Sequence, residues 1–122
     1  MKKVIDEIVI DGQTYVPQNT TKKAESFDGM EYKIVRTYSA GVFAGYVESR
    51  NGQEVVMRKA RRLWYWSGAA SLSQLAEEGT SDPSNCKFPK EVDKIELLQV
   101  IEILDVTSEA KESIDSTPIW KM

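Results

Sequence analysis

The sequence predicts an α+β fold, a twisted and mainly antiparallel sheet with one principal helix and a short C-terminal helix, preceded by an N-terminal β-hairpin arm. Three observations carry that expectation. Alternating apolar and polar runs fill the first half of the chain, two of them centred on Asp11-Gly12 and Asn51-Gly52. After Trp66 the period changes, and Leu72, Leu75 and Ala76 fall at i, i+3 and i+4, a helical stripe. Near the end, "TSEAKESID" opens on helix-capping residues.

Taken in order, "EIVIDGQTYVP" reads as a hairpin, because Asp-Gly supplies the positive φ that a type I′ turn demands. A two-residue loop sets Ile10 opposite Gln13 and Ile8 opposite Tyr15, and Pro17 closes an arm of residues 1–17. "QNTTKKAESFDG", residues 18–29, is polar and aperiodic and reads as a linker, leaving residues 30–122 as a single domain. That domain opens with the strand "EYKIVRTYS", with Tyr32, Ile34 and Arg36 on one face and Lys33 and Val35 on the other.

In "AGVFAG" two glycines flank a short apolar run. Next, "GYVESRNGQEVVMRKARRLWYW" is a hairpin about Asn51-Gly52, expected to pair Val47 with Val56 and Tyr46 with Met57. The helix after Trp66 starts at Gly68 if Ser67 caps it, or a turn later if Ser71 and Gln74 form a capping box; Gly79 ends it. "TSDPSNCKFPKE" connects. "VDKIELLQVIEILDV" fits both periods, and its β-branched residues at 95, 100, 101, 103 and 106 favour strand. Thr107 or Ser108 caps the last helix, with Glu109 in its first turn. Pro118 stops it, so that Ile119 and Trp120 dock on the body. The sequence holds no internal repeat.

Composition narrows the function classes. A chain of 122 residues with 41% hydrophobic content and three Trp can build a core without metal or disulfide. The single Cys86 allows no intrachain disulfide, no apolar run reaches membrane-spanning length, and no signal-peptide pattern opens the chain. A cytoplasmic protein without membrane contact is the expectation. A net charge of −3 argues against broad binding of duplex DNA. Histidine is absent, which removes the commonest general base and metal ligand. No cysteine nucleophile with a base, metal-ligand spacing or phosphate loop stands out, so neither an enzyme, a metal site nor a cofactor is expected.

The stretch "ARRLWYWSGAASLSQLAEEG", residues 60–79, is the principal candidate site. Arg61 or Arg62, an aromatic among Trp64, Tyr65 and Trp66, and the Ser67-Gly68 backbone could converge on an anion. Guanidinium groups bind phosphate and stack on rings, and unpaired amides at a helix start favour negative charge. The competing reading sends Trp64 and Trp66 together into the core, each worth roughly 5 kcal/mol of burial, with Tyr65 on the surface. "SAGVFAG" is the second candidate. Ser39 and Gly41 could form an anion nest beside Arg36, or simply a bend entering the next strand. In "MRKARR", Arg58 and Lys59 read as solvated or paired with Glu48 and Glu54, and Cys86 as a small buried residue.

At "VRTYSAGVFAG", "ARRLWYWSGAASLSQLAEEG", "CKF" and "PIWKM" the chain resembles a small family of uncharacterised proteins from tailed phages and prophages, over about residues 30–122. The resemblance implies work in the cytoplasm of an infected bacterium and brings no activity or site residues. By analogy of context, it raises the expectation of a non-enzymatic protein that sequesters a small anionic, nucleotide-like ligand to counter host defence. The alternative is an interaction or structural phage protein that uses the Trp/Tyr/Arg cluster as an interface with a host protein. The arm is too small to be stable alone and can fold back on its own body or cross to a neighbouring subunit; its linker is long enough to reach a second subunit, and a homo-oligomer is expected.

Overall fold

A computed structural model describes residues 8–10, 13–15 and 22–122. Strands β1 (Ile8–Ile10) and β2 (Gln13–Tyr15) pair antiparallel, with Ile8 opposite Tyr15 and Ile10 opposite Gln13, the register expected of a two-residue loop. Asp11-Gly12 and Pro17 lie outside the described residues.

Five antiparallel strands form the main sheet: β3 (Glu31–Thr37), β4 (Val42–Asn51), β5 (Glu54–Arg62), β6 (Val92–Leu97) and β7 (Val100–Asp105). Their order across the sheet is β6-β5-β4-β3-β7, so β6 and β7 occupy opposite edges. Yet only Leu98 and Gln99 separate them in the chain. A flat five-stranded sheet would hold its edges about 19 Å apart. The step from Leu97 to Val100 spans at most about 11 Å. The sheet therefore curls until its edges approach at that corner, where Val100 donates to the Gln53 carbonyl and Tyr38 to that of Gln99. The ambiguous segment is thus two strands, broken at Gln99 with φ +58.

Curling gives the sheet a core on each face. Val35, Phe43, Val55, Met57, Leu97 and Val100 fill the inner face, which the sheet itself closes over. Ile34 and Ala44 point the other way, toward Leu63, Phe88 and the helices α1 (Leu72–Glu78) and α2 (Ser108–Ser116). Ile34 and Val35 are neighbours on β3, lie on opposite faces, and both are fully buried. Ser71 caps α1 by accepting from the Gln74 amide, and Thr107 caps α2 by accepting from that of Ala110. Thr107 also donates to the Glu77 carbonyl, tying the end of α1 to the start of α2. Gly79 ends α1 at φ +79, and a Cβ there would come within 2.4 Å of Ser113.

Two sequence expectations need correction. The β4–β5 hairpin exists, but Val47 faces Met57, Tyr46 faces Arg58 and Val56 faces Ser49. Asn51 pairs with Glu54, so the turn residues are Gly52 and Gln53. Gly52 has φ +64 and Gln53 no positive φ, the type II′ pattern with glycine first, and not type I′. An extra residue at Glu48 and another at Lys59, with φ +51, then bulge the two strands in turn. Gly45 faces the second bulge, where a Cβ would lie 2.8 Å from the Ala60 backbone.

Nor are residues 22–29 a free linker. Ser108 donates to the Lys22 carbonyl and Ala24 to that of Val106, and Asp28-Gly29 makes a tight turn that returns the chain into β3. The body therefore begins earlier than residue 30.

Candidate functional site

The principal candidate stretch spans the end of β5, and strand alternation sends its two arginines to opposite faces of the sheet. Arg61 is buried, and its guanidinium donates only to backbone carbonyls: Nε to Pro89, Nη1 to Ile114, and Nη2 to Phe88, Thr117 and Pro118 at 2.7–3.0 Å. Burial lowers its pKa, and nearby Tyr32 and Asp115 oppose that. Arg61 is a clasp for the C-terminal segment. Arg62 lies over the Phe43 ring at 4.4 Å and donates to the Ala40 carbonyl.

Ser67 and Gly68 are likewise committed to structure. The Ser67 amide donates to Cys86 Sγ and its hydroxyl to Asp82. Gly68 has φ +84 and sits so close to the 80–82 loop that a Cβ would lie 2.4 Å from the Asp82 nitrogen. The helix begins a turn later, at Leu72, so these amides are not its N-terminus. Arginine, ring and amide are therefore not brought together as the sequence proposed.

The second candidate resolves the same way. Thr37 gathers the "SAGVFAG" bend, donating its amide and hydroxyl to the Gly41 carbonyl and accepting from the Ala40 amide. The bend turns a carbonyl toward Arg62. Ser39 is exposed, and Arg36 pairs with Glu102 at 2.7 Å. Arg58 pairs with Glu48, as the basic run suggested, and also with Asp93. Cys86 is buried.

The aromatics divide. Trp66 packs against the core, but Trp64 is 59% exposed and Tyr65 51%, so the two tryptophans do not enter the core together. β5 ends at Arg62, and beyond it alternation no longer assigns faces. Trp120 returns from the C-terminus and stacks on Trp64, with centroids 5.1 Å apart and ring planes 5° apart. Its docking is fixed by the Trp120 amide donating to the Phe88 carbonyl. Lys87 Nζ lies 5.3–5.7 Å from the centroids of Trp64, Tyr65 and Trp120.

A cleft of about 480 Å³ lies beyond Arg61 on the same face of the sheet, a volume within the usual range for small-ligand sites. Lys59, Lys90, Lys111 and Arg61 line it, against two carboxylates, Glu91 and Asp115. Lys111 is held by Asp115; burial pulls its pKa down, and the hydrogen bond and charge of Asp115 more than reverse this. Tyr46 and Tyr32 form one wall, their rings edge to face at 5.2 Å. Tyr32 is 6% exposed, and its hydroxyl makes no hydrogen bond among the described residues. Burial, with the Asp115 charge, raises its pKa far above the ordinary value, so it remains a proton donor.

The sequence reading missed this cleft. Lys59 reaches it from a bulge, Lys90 from a loop and Lys111 from α2. Arg61 was a candidate for a different pocket, and Tyr32 was placed only on a strand face shared with Ile34.

Among the described residues no group of His, Cys, Asp and Glu is arranged to hold a metal ion, and no helix is long and apolar enough to cross a membrane. No curated protein and no solved structure matches the chain. A model for a domain of unknown function, DUF6948, matches residues 30–114, from the start of β3 through most of α2, and the chain belongs to that family.

Proposed function

We propose that this chain is a non-enzymatic binder that captures a small anionic, nucleotide-like ligand in the cleft beside Tyr32. The buried Tyr32 hydroxyl carries the reading. A buried hydroxyl without a partner costs about 1–3 kcal/mol, which a phosphate oxygen accepting its proton would recover. Around it stand four cations against two carboxylates, on a chain whose net charge is −3. Lys90, and Lys59 whose ammonium lies 5.3 Å from the Phe27 ring centroid, have no ion pair among the described residues and are the cations left to meet a phosphate. The cleft replaces the strand-end pocket as the place where charge and hydrogen-bond donors converge. On this reading the chain acts in a phage-infected bacterium, lowering the free concentration of a nucleotide signal used in host defence.

Calorimetric titration of 5′-AMP, cyclic AMP and inorganic pyrophosphate tests the reading. At least one should bind wild type saturably and be recovered unchanged. Tyr32→Phe should weaken that binding about tenfold, the worth of one charged hydrogen bond. Its melting temperature should hold or rise, because the lost hydroxyl has no partner. Lys90→Met should weaken binding by a similar factor. No binding to wild type, or equal binding by Tyr32→Phe, overturns the reading.

A further inference from the structure

The Trp64–Trp120 stack, which does not line the cleft, carries a second inference. Trp64, Tyr65, Ile119 and Trp120 are each between 37% and 59% exposed, a cluster of large apolar side chains. Tyr65 is tied to Lys87 by an antiparallel bridge, and Ile119 to Phe88 by a parallel one, so three separate chain segments hold the cluster in place. Side chains set on braced backbone lose little further freedom on binding, and Trp and Tyr are the residues on which interface energy concentrates.

Charge indicates the partner. Lys87 lies among the three rings and has no carboxylate within 4 Å among the described residues. In the segments 63–66, 86–88 and 118–121 the only charged residues are Lys87 and Lys121, although the chain as a whole has more acids than bases. A cation held over aromatic rings and left without a counter-charge is complementary to a carboxylate. A second copy of this chain meeting the patch face to face would oppose lysine to lysine, which disfavours self-association. Single-stranded nucleic acid fits less well. It needs a basic groove that follows its backbone, and here Trp64 and Trp120 each spend one ring face on the other.

We infer that Trp64, Tyr65, Trp120 and Lys87 form a docking surface for a protein segment presenting a carboxylate beside apolar side chains. The carboxylate pairs with Lys87, and its apolar neighbours cover Tyr65 and the edges of the stacked tryptophans.

The test probes the full-length protein with an array of immobilised peptides pairing Asp or Glu with Leu and Phe. A matched array carries Lys for each acid, and a dT15 oligonucleotide is included. Wild type should bind members of the acidic array and not their basic counterparts. Lys87→Glu should invert that preference, a change that loss of structure cannot produce. Lys87→Met keeps the apolar stem and should weaken acidic-peptide binding about tenfold. Tyr65→Ala should weaken it likewise. The inference is overturned if no peptide binds, if Lys87→Glu keeps the wild-type preference, or if dT15 outcompetes every peptide. Tyr32→Phe should leave peptide binding unchanged, so failure here and failure of the cleft reading are separable.

Discussion

Arg61 and Arg62 are adjacent in the chain and alike in any composition-based reading, yet they hold down different parts of the molecule by different means. Arg61 is 7% exposed and donates to five carbonyls of two segments, 88–89 and 114–118. Arg62, half-buried, lies over Phe43 and donates to one carbonyl of the β3–β4 bend. A one-residue step along a strand separates a buried clasp from a surface brace. The difference teaches that an arginine next to aromatics is not thereby an anion site: neutral carbonyls can engage all three of its nitrogens. A buried charge is tolerated only when such partners surround it.

The largest effect should come from breaking the clasp. Arg61→Met leaves Pro89, Thr117 and Pro118 with carbonyls that have no other donor among the described residues. Thr117 is buried, Pro89 half-buried and Pro118 exposed, so the first two carbonyls carry most of the cost, about 3 kcal/mol in total at about 1–3 kcal/mol for each one cut off from water. For a chain of this size that lowers the melting temperature by about 10 °C or more. Arg61→Lys should rescue little, since one ammonium cannot span carbonyls so widely placed. A melt within 3 °C of wild type would show that the C-terminal segment holds without the clasp.

On the other face the effect should be smaller. Arg62→Ala removes one hydrogen bond to Ala40 and the stacking over Phe43, together about 1 kcal/mol at a half-exposed site. Differential scanning calorimetry of both variants gives the ratio directly. If Arg62→Ala costs as much as Arg61→Met, burial does not set the difference, and the β3–β4 bend is a larger part of the folding unit than its exposure implies.

This contrast also marks what could be read from the sequence. The α+β class, the strands about both turn dipeptides, the Ser71 and Thr107 caps and the docking of Trp120 all rest on local signals, and all are present. The hairpin register failed because Gly52 takes the first turn position and bulges at Glu48 and Lys59 then shift the pairing, events that depend on what packs against each strand. Asp28-Gly29 is as good a turn signal as Asp11-Gly12, but its polar surroundings disguised it as linker. The candidate site was read as one contiguous motif. Lys87 reaches Tyr65 across 22 positions, and the cleft draws on β3, β5, the 90–91 loop and α2. No window of sequence contains those contacts.

The smallest predicted effect separates a clasp made of carbonyls from one made of carboxylates. Lys33 joins Glu31 and Asp105, with Lys23 nearby, across the β3–β7 edge. The Lys33 hydrogen bond and charge lower the pKa of Glu31 below its ordinary 4.5, and a hydrogen bond from Lys33 lowers that of Asp105 below its ordinary 3.8. Carboxyls whose folded pKa lies below the unfolded value contribute stability above the unfolded value and lose it as pH falls through the folded one. The network should therefore be intact at neutral pH and weaken from about pH 4.5 downward. On the alkaline side it is Lys33 that titrates. Burial pulls its pKa down, but its two partners raise it above the ordinary 10.5, and its contribution is lost only above that pH. Melting temperatures of wild type and Lys33→Met should differ by a small amount at pH 7 and converge by pH 2–3, since both carboxyls are exposed and well screened. Arg61→Met should show no such convergence from its own contacts, because carbonyls do not titrate. A gap between wild type and Lys33→Met that persists at pH 2 would mean that Lys33 acts through its packed stem and not through its charge.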